Sequence, residues 1–148
     1  MLKIIAALIM IESGGDPSAH NKQSDAVGLL QITPIVVDEC NRIIGFNHYT
    51  LEDRWNQGHS RAMAALYLSF WCNYIRENTG NIDCTPILCA KIWRAGPTSI
   101  LMDVAWNLDG YTDRLRSLLF QWDQHNVKID PTTGFPSIIE QRKLKGVD

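Results

Sequence analysis

The stretch IMIESGGDPSAHNKQSDAVGLLQITP, Ile9 to Pro34, sets a glutamate at the end of an apolar run and follows it with two glycines. Upstream, residues 2–12 are apolar nearly all round, with Lys3 the one charge before Glu12. A helix of that composition is buried on most of its faces. Gly14 and Gly15 predict its end, because glycine readily takes the left-handed conformation that closes a helix. Glu12 is therefore expected at the edge of a core. Desolvation there disfavours the carboxylate, and the negative end of the helix dipole pushes the same way. Both effects keep the proton on near neutral pH, as a general acid requires. Taken alone, the residue also fits a solvated glutamate at a helix exit.

The rest of the chain reads as a series of helices. DPSAHNKQSD is a polar loop of turn-forming residues, and AVGLLQIT is an apolar segment too short to assign by period. Pro34 opens a helix that runs to Gly45. FNHYTLEDRW reads as a loop or a single turn. A long helix is predicted from about Asn56 to Asn78, with Ala62, Ala65, Leu66, Ser69 and Ile75 near a 3.6-residue period. Thr85 and Pro86 cap and start the next helix, which Gly96-Pro97 follows. TSILMDVAWNLDG reads as helical with Gly110 punctuating it, and YTDRLRSLLFQWDQH as a further amphipathic helix. Beyond it NVKIDPTTGFPS is extended or turn-rich, and IIEQRKLKGVD is a candidate terminal helix. No strand pair, repeat or linker is evident. The expected fold class is mainly α, in a single domain over 1–148, with 120–148 a C-terminal extension of unplaced structure.

The chain has 148 residues, 45% of them apolar and 20% charged, within the range of ordinary globular domains. A formal net charge of −2 argues against a nucleic-acid partner, whose footprint is strongly basic. Cys40, Cys72, Cys84 and Cys89 are read as buried free thiols, since their spacing is not that of a zinc ribbon. No metal and no cofactor are expected. His20, His48, His59 and His125 show no metal-binding spacing and are expected at the surface. Of the tryptophans at 55, 71, 93, 106 and 122, core packing explains most, with one or two left to line a groove. MLKIIAALIMIES carries a lysine and an apolar run but no small-residue cleavage site, so it reads as a buried helix and not as a signal peptide. No run is long enough to predict a membrane span.

Four motifs occur in one order: Glu12-Ser13-Gly14 followed by Gly28-Leu29-Leu30-Gln31, then NQGHSRAMAALYL (Asn56–Leu68), IWRAGP (Ile92–Pro97) and GYTDRL (Gly110–Leu115). In content and order they resemble the soluble lytic transglycosylase family, which is related to goose-type lysozyme, over about residues 2 to 120. The resemblance implies a lysozyme-like domain that cleaves the β-1,4 bond between N-acetylmuramic acid and N-acetylglucosamine in peptidoglycan. It implies that Glu12 first protonates the leaving oxygen and then, as carboxylate, deprotonates the muramoyl 6-hydroxyl. A 1,6-anhydro product results and no water is consumed, an exception to the usual carboxylate pair. Ser13, Gly28, Leu29, Leu30 and Gln31 would border the sugar subsites, the last four through the Gln31 side chain and the segment's backbone. Trp93, Arg94, Ala95 and Gly96 would form the opposite wall, and Tyr111 would donate its hydroxyl to Glu12.

Departures from the family pattern bear on specificity. Trp93-Arg94 stands where the family carries Tyr-Asn, so an amide contact is lost and an arginine able to reach a peptide-stem or lactyl carboxylate is gained. A hydrolytic muramidase is the alternative, and it needs a second carboxylate, for which Asp25, Asp16 and Asp38 are the sequence candidates. Thr33 stands where goose-type enzymes tend to carry an aspartate, which favours the transglycosylase. A non-catalytic glycan-binding or structural module is the third reading. The expected protein is monomeric and bacteriolytic, acting on the bacterial cell wall. Without a clear export signal it suits a phage-encoded enzyme, released from the host cytoplasm to the wall or carried in the virion, with any lysis or tail partner unidentified. A secretion-system enzyme lacking its leader fits equally.

Overall fold

The structure is a computed structural model, and it describes residues 1–79, 84–102 and 108–137. It is mainly helical, as the sequence predicts. The apolar opening forms helix α1, Leu2–Glu12, in which Ile5 to Ile9 are all buried. Gly14 and Gly15 follow with φ of 64° and 88° and turn the chain out of the helix. The polar loop then folds back as a two-stranded hairpin, β1 (His20–Asn21) against β2 (Ala26–Val27), with Val27 also bridging Ile32. No strand pair is expected from the sequence, because two-residue strands are too short to show an alternating pattern.

Helix α2, Pro34–Ile44, starts on its proline and ends at Gly45. A 3-10 turn, Leu51–Trp55, is held by a reciprocal capping box between Thr50 and Asp53. Helix α3 spans Gln57–Thr79. Helix α4, Pro86–Ala95, is capped by the Thr85 hydroxyl, which accepts the Leu88 N–H. Helix α5 is a short piece, Pro97–Leu101, and α6 spans Asp109–Gln124. Gly110 therefore lies inside the first turn of α6 and does not punctuate it. Trp106 and the remainder of the helix expected there fall in 103–107, outside the described residues, as does the candidate terminal helix from residue 138 onward.

Helix α1 packs against α3, α4 and α6, and α2 lies along α3. The buried face of α3 is Ser60, Met63, Ala64, Tyr67, Leu68, Cys72 and Ile75. That differs from the predicted set, of which Ile75 alone is buried while Ala62 and Ser69 are exposed. Apolar residues occur on several sides of this helix, so sequence periodicity does not select the face; packing against α1 and α4 does. Cys72 and Cys84 form a disulfide joining α3 to the approach of α4, which corrects the free-thiol expectation for that pair. Cys40 and Cys89 are free and buried, and the Cys89 sulfur lies 3.6 Å from each bridged sulfur. A separation of 12 along the chain carries no trace of this meeting, which depends on where α4 turns back on α3.

After α6 the chain makes turns closed by a bridge between Ile129 and Pro136. Phe135 packs on the core, beside Gly15, and Arg61 of α3 donates to the Thr133 carbonyl. No helix among the described residues is long and apolar enough to cross a membrane.

Candidate active site

Glu12 is the last residue of α1, so the helix that organises the core also delivers the acid. Its side chain is half-buried, and this desolvation raises its pKa above the ordinary 4.5. Three groups oppose the rise. The Tyr111 hydroxyl donates to Glu12 Oε1 at 2.6 Å, and Arg94 and Arg114 contribute positive charge. Burial wins. Tyr111 is 7% exposed, and burial together with the adjacent Glu12 pushes its own pKa up, so it stays a hydrogen-bond donor across the working pH range.

Glu12 opens onto a cleft of about 200 Å³, lined with it by Asn21, Ser24, Ala26, Gln31, Thr33, Val36, Trp93 and Arg94. One wall is the hairpin and the start of α2; the other is the end of α4. Gly28 makes the first wall possible. Its φ is +73°, and a Cβ there would sit 2.5 Å from the Arg54 carbonyl oxygen, so the hairpin passes against the 3-10 turn only with glycine at this point. Arg54, 6% exposed, secures the junction by donating to the carbonyls of Leu51 and Asp25 and to the Asp25 carboxylate at 3.1 Å. Gln31 has φ +50°, and its amide nitrogen donates to the carbonyls of Ala19 and Gly28. This leaves the amide oxygen as the acceptor it can offer the cleft.

On the far wall, Trp93 meets the Tyr67 ring edge to face at 5.9 Å, which holds the indole in place. Arg94 is exposed, and its guanidinium lies 5.8 Å from the centre of the Tyr111 ring. Ala95 and Gly96, expected in this wall, are not among the lining residues; they end α4 beside it. The Leu29 and Leu30 side chains are buried in the core, so their segment serves the cleft through Gln31. Ser13 does not face the cleft either. Its hydroxyl donates to the Leu29 carbonyl at 2.7 Å and ties α1 to the segment that carries Gln31.

The alternative carboxylates lie elsewhere. Asp25 is 3.1 Å from Arg54 and 3.4 Å from His20, Asp16 is bonded to Ser18, and Asp38 borders a separate, open depression beside Gly45 and Phe46. Glu12 is the one carboxylate among the described residues that line the cleft. Sequence reasoning missed Asn21, Ser24 and Val36 as lining residues, and Arg114 as a neighbour of Glu12. Asn21 ends β1 and Ser24 sits in the turn after it, within the loop whose turn-former content was the available signal. Arg114 had a helical cue, lying three residues after Tyr111 and so on the same face.

A family model described as Transglycosylase SLT domain matches residues 1–94, a stretch that contains Glu12, the hairpin, Gln31 and Trp93-Arg94. No curated protein matches the chain.

Proposed function

The chain belongs to the transglycosylase SLT domain family, whose action is on peptidoglycan, and we propose that it is a lytic transglycosylase working through Glu12 alone. The protonated Glu12 gives its hydrogen to the oxygen of the β-1,4 link between N-acetylmuramic acid and N-acetylglucosamine, and the C1–O bond breaks. The muramoyl 6-hydroxyl bonds to C1 while the Glu12 carboxylate takes its proton. The acid is regenerated, a 1,6-anhydro ring remains, and water enters nowhere. Trp93 stacks on a sugar face, and the Gln31 amide oxygen accepts from an N-acetyl N–H or a hydroxyl. Tyr111 holds the Glu12 rotamer through both protonation states.

The observation that carries this reading is that Glu12 is the one carboxyl lining the cleft among the described residues, raised in pKa by burial and backed by a tyrosine hydroxyl. A hydrolase needs a second carboxylate about 5–9.5 Å away to act on water or on C1. Asp25, the candidate that precedes the Gly28 segment, is engaged by Arg54 and His20 and does not line the cleft. The test is the product. Mass spectrometry of digested sacculi is expected to find anhydro-muramoyl ends, 18 Da lighter than hydrolysed ones by the loss of one water. Hydrated reducing ends would establish the hydrolytic muramidase instead. Glu12→Gln is expected to lower turnover by at least about a hundredfold, the usual scale of general acid–base catalysis; full activity in that variant would leave a binding module or a different acid.

A further inference from the structure

Two cations flank the acid. Arg94 and Arg114 reach the site from different helices, and each guanidinium carbon lies 5.8 Å from the centre of the Tyr111 ring. Both side chains are exposed. Among the described residues neither forms an ion pair, whereas Arg42, Arg54 and Arg116 each hold a carboxylate within 3.2 Å. Both lie close enough to Glu12 to favour its charged form, which burial disfavours. Arg94 on the cleft wall and Arg114 across the Tyr111 ring from the same acid, neither ion-paired among the described residues, set positive charge at this end of the cleft.

The reading of the site as a muramoyl-binding cleft sets what would fill this end. N-acetylglucosamine carries no ionised group. The muramoyl residue carries a lactyl ether, whose acid is either free or amide-linked to a stem peptide with carboxylates of its own. We propose that Arg94 and Arg114 form a carboxylate subsite that selects glycan strands bearing an anionic group on the muramoyl residue next to the scissile bond. Arginine suits this role, because its planar fork pairs with both oxygens of a carboxylate. Occupancy also favours the chemistry. Both arginines pull the Glu12 pKa down, and a bound anion offsets their charge, so the carboxyl keeps its proton when the right strand is in place.

The inference rests on the transglycosylase reading, so its test is made by binding, apart from turnover. The Glu12→Gln protein is titrated by calorimetry with four ligands. These are amidase-trimmed strands with free lactyl carboxylates, strands with intact stems, the same stem-bearing strands after carbodiimide amidation, and chitin oligomers that carry no carboxylate. At least one carboxylated strand is expected to bind about tenfold or more tighter than the amidated strand, as a charge-assisted pair warrants. The trimmed and intact arms show whether the lactyl or the peptide carboxylate is the one held. Adding Arg94→Gln or Arg114→Gln is expected to cut that preference several-fold, and the double change to abolish it. The preference should also shrink with added salt. Equal affinity for carboxylated and amidated strands, a preference that survives the double change, or no binding by a protein whose parent cleaves the strands would each overturn the subsite. Full turnover by the Glu12→Gln protein would instead overturn the role of Glu12, leaving the carboxylate preference readable on its own.

Discussion

At Glu12 the balance of opposing effects decides what the residue can do. Burial raises its pKa, and the Tyr111 hydroxyl is the largest of the influences that lower it. A hydroxyl donating to the carboxylate stabilises the charged form. Tyr111→Phe removes that stabilisation, so the pKa rises further and the protonated form persists to higher pH. The alkaline limb of the kcat/KM profile is therefore expected to move upward, while the maximum rate falls about tenfold for want of one charge-assisted hydrogen bond. A limb that moves down would show that Tyr111 acts on the acid in some other way. The position of Glu12 at the end of a buried helix was legible in the sequence, because an apolar run stops there at Gly14 and Gly15. Ser13 was legible as a neighbour only. Its hydroxyl serves the main chain at Leu29, and the identity of a hydrogen-bond partner 16 residues away has no local signature.

Among the elements, the hairpin and the start of α2 make the wall that faces α4, and the 3-10 turn backs the hairpin. The hairpin meets the 3-10 turn at Gly28, where there is space for a hydrogen atom and not for a methyl group. Gly28→Ala places a Cβ against the Arg54 carbonyl in a left-handed conformation, which costs roughly 1–2 kcal/mol before any collision is counted. A loss of about 2 kcal/mol or more in urea unfolding is expected, with activity falling in parallel as the Gln31 segment shifts. An unchanged midpoint would mean that the hairpin is not held against the turn. Helix starts were readable here because Pro34 and Pro86 advertise them, with Thr85 supplying a cap. The hairpin was not, since its two-residue strands are too short to show alternation, and Arg54, which secures it at Asp25, lies 29 positions away. The face of α3 was misread for a related reason: a helix with apolar residues on several sides presents whichever one its neighbours cover.

For the molecule as a whole, the acid carries a stability cost. Its folded pKa is raised above 4.5, so its own contribution to folding is most favourable below that value, where Glu12 is protonated in both states. As pH rises through the raised folded pKa, that advantage is lost, because the buried group must either ionise or hold a proton the unfolded chain has released. Glu12→Gln escapes the penalty. Its melting temperature is expected to exceed the parent's at neutral pH and to converge with it as pH falls toward 4. Identical melting curves at pH 7 would mean the carboxyl is not desolvated in solution. The helical class and the order of the elements were readable from hydrophobic pattern and punctuation, whereas the joining of Cys72 to Cys84 was not, since it depends on how two helices close up in space.

Helix α1 has a further bearing on how the protein wears out. Its middle five residues are all buried, and its last residue is the acid. The reagent cannot be shaken loose while the rod stays seated, and it cannot stay in place once the rod leaves. Gentle warming should therefore yield molecules that are either fully competent or fully spent, with no enfeebled survivors between.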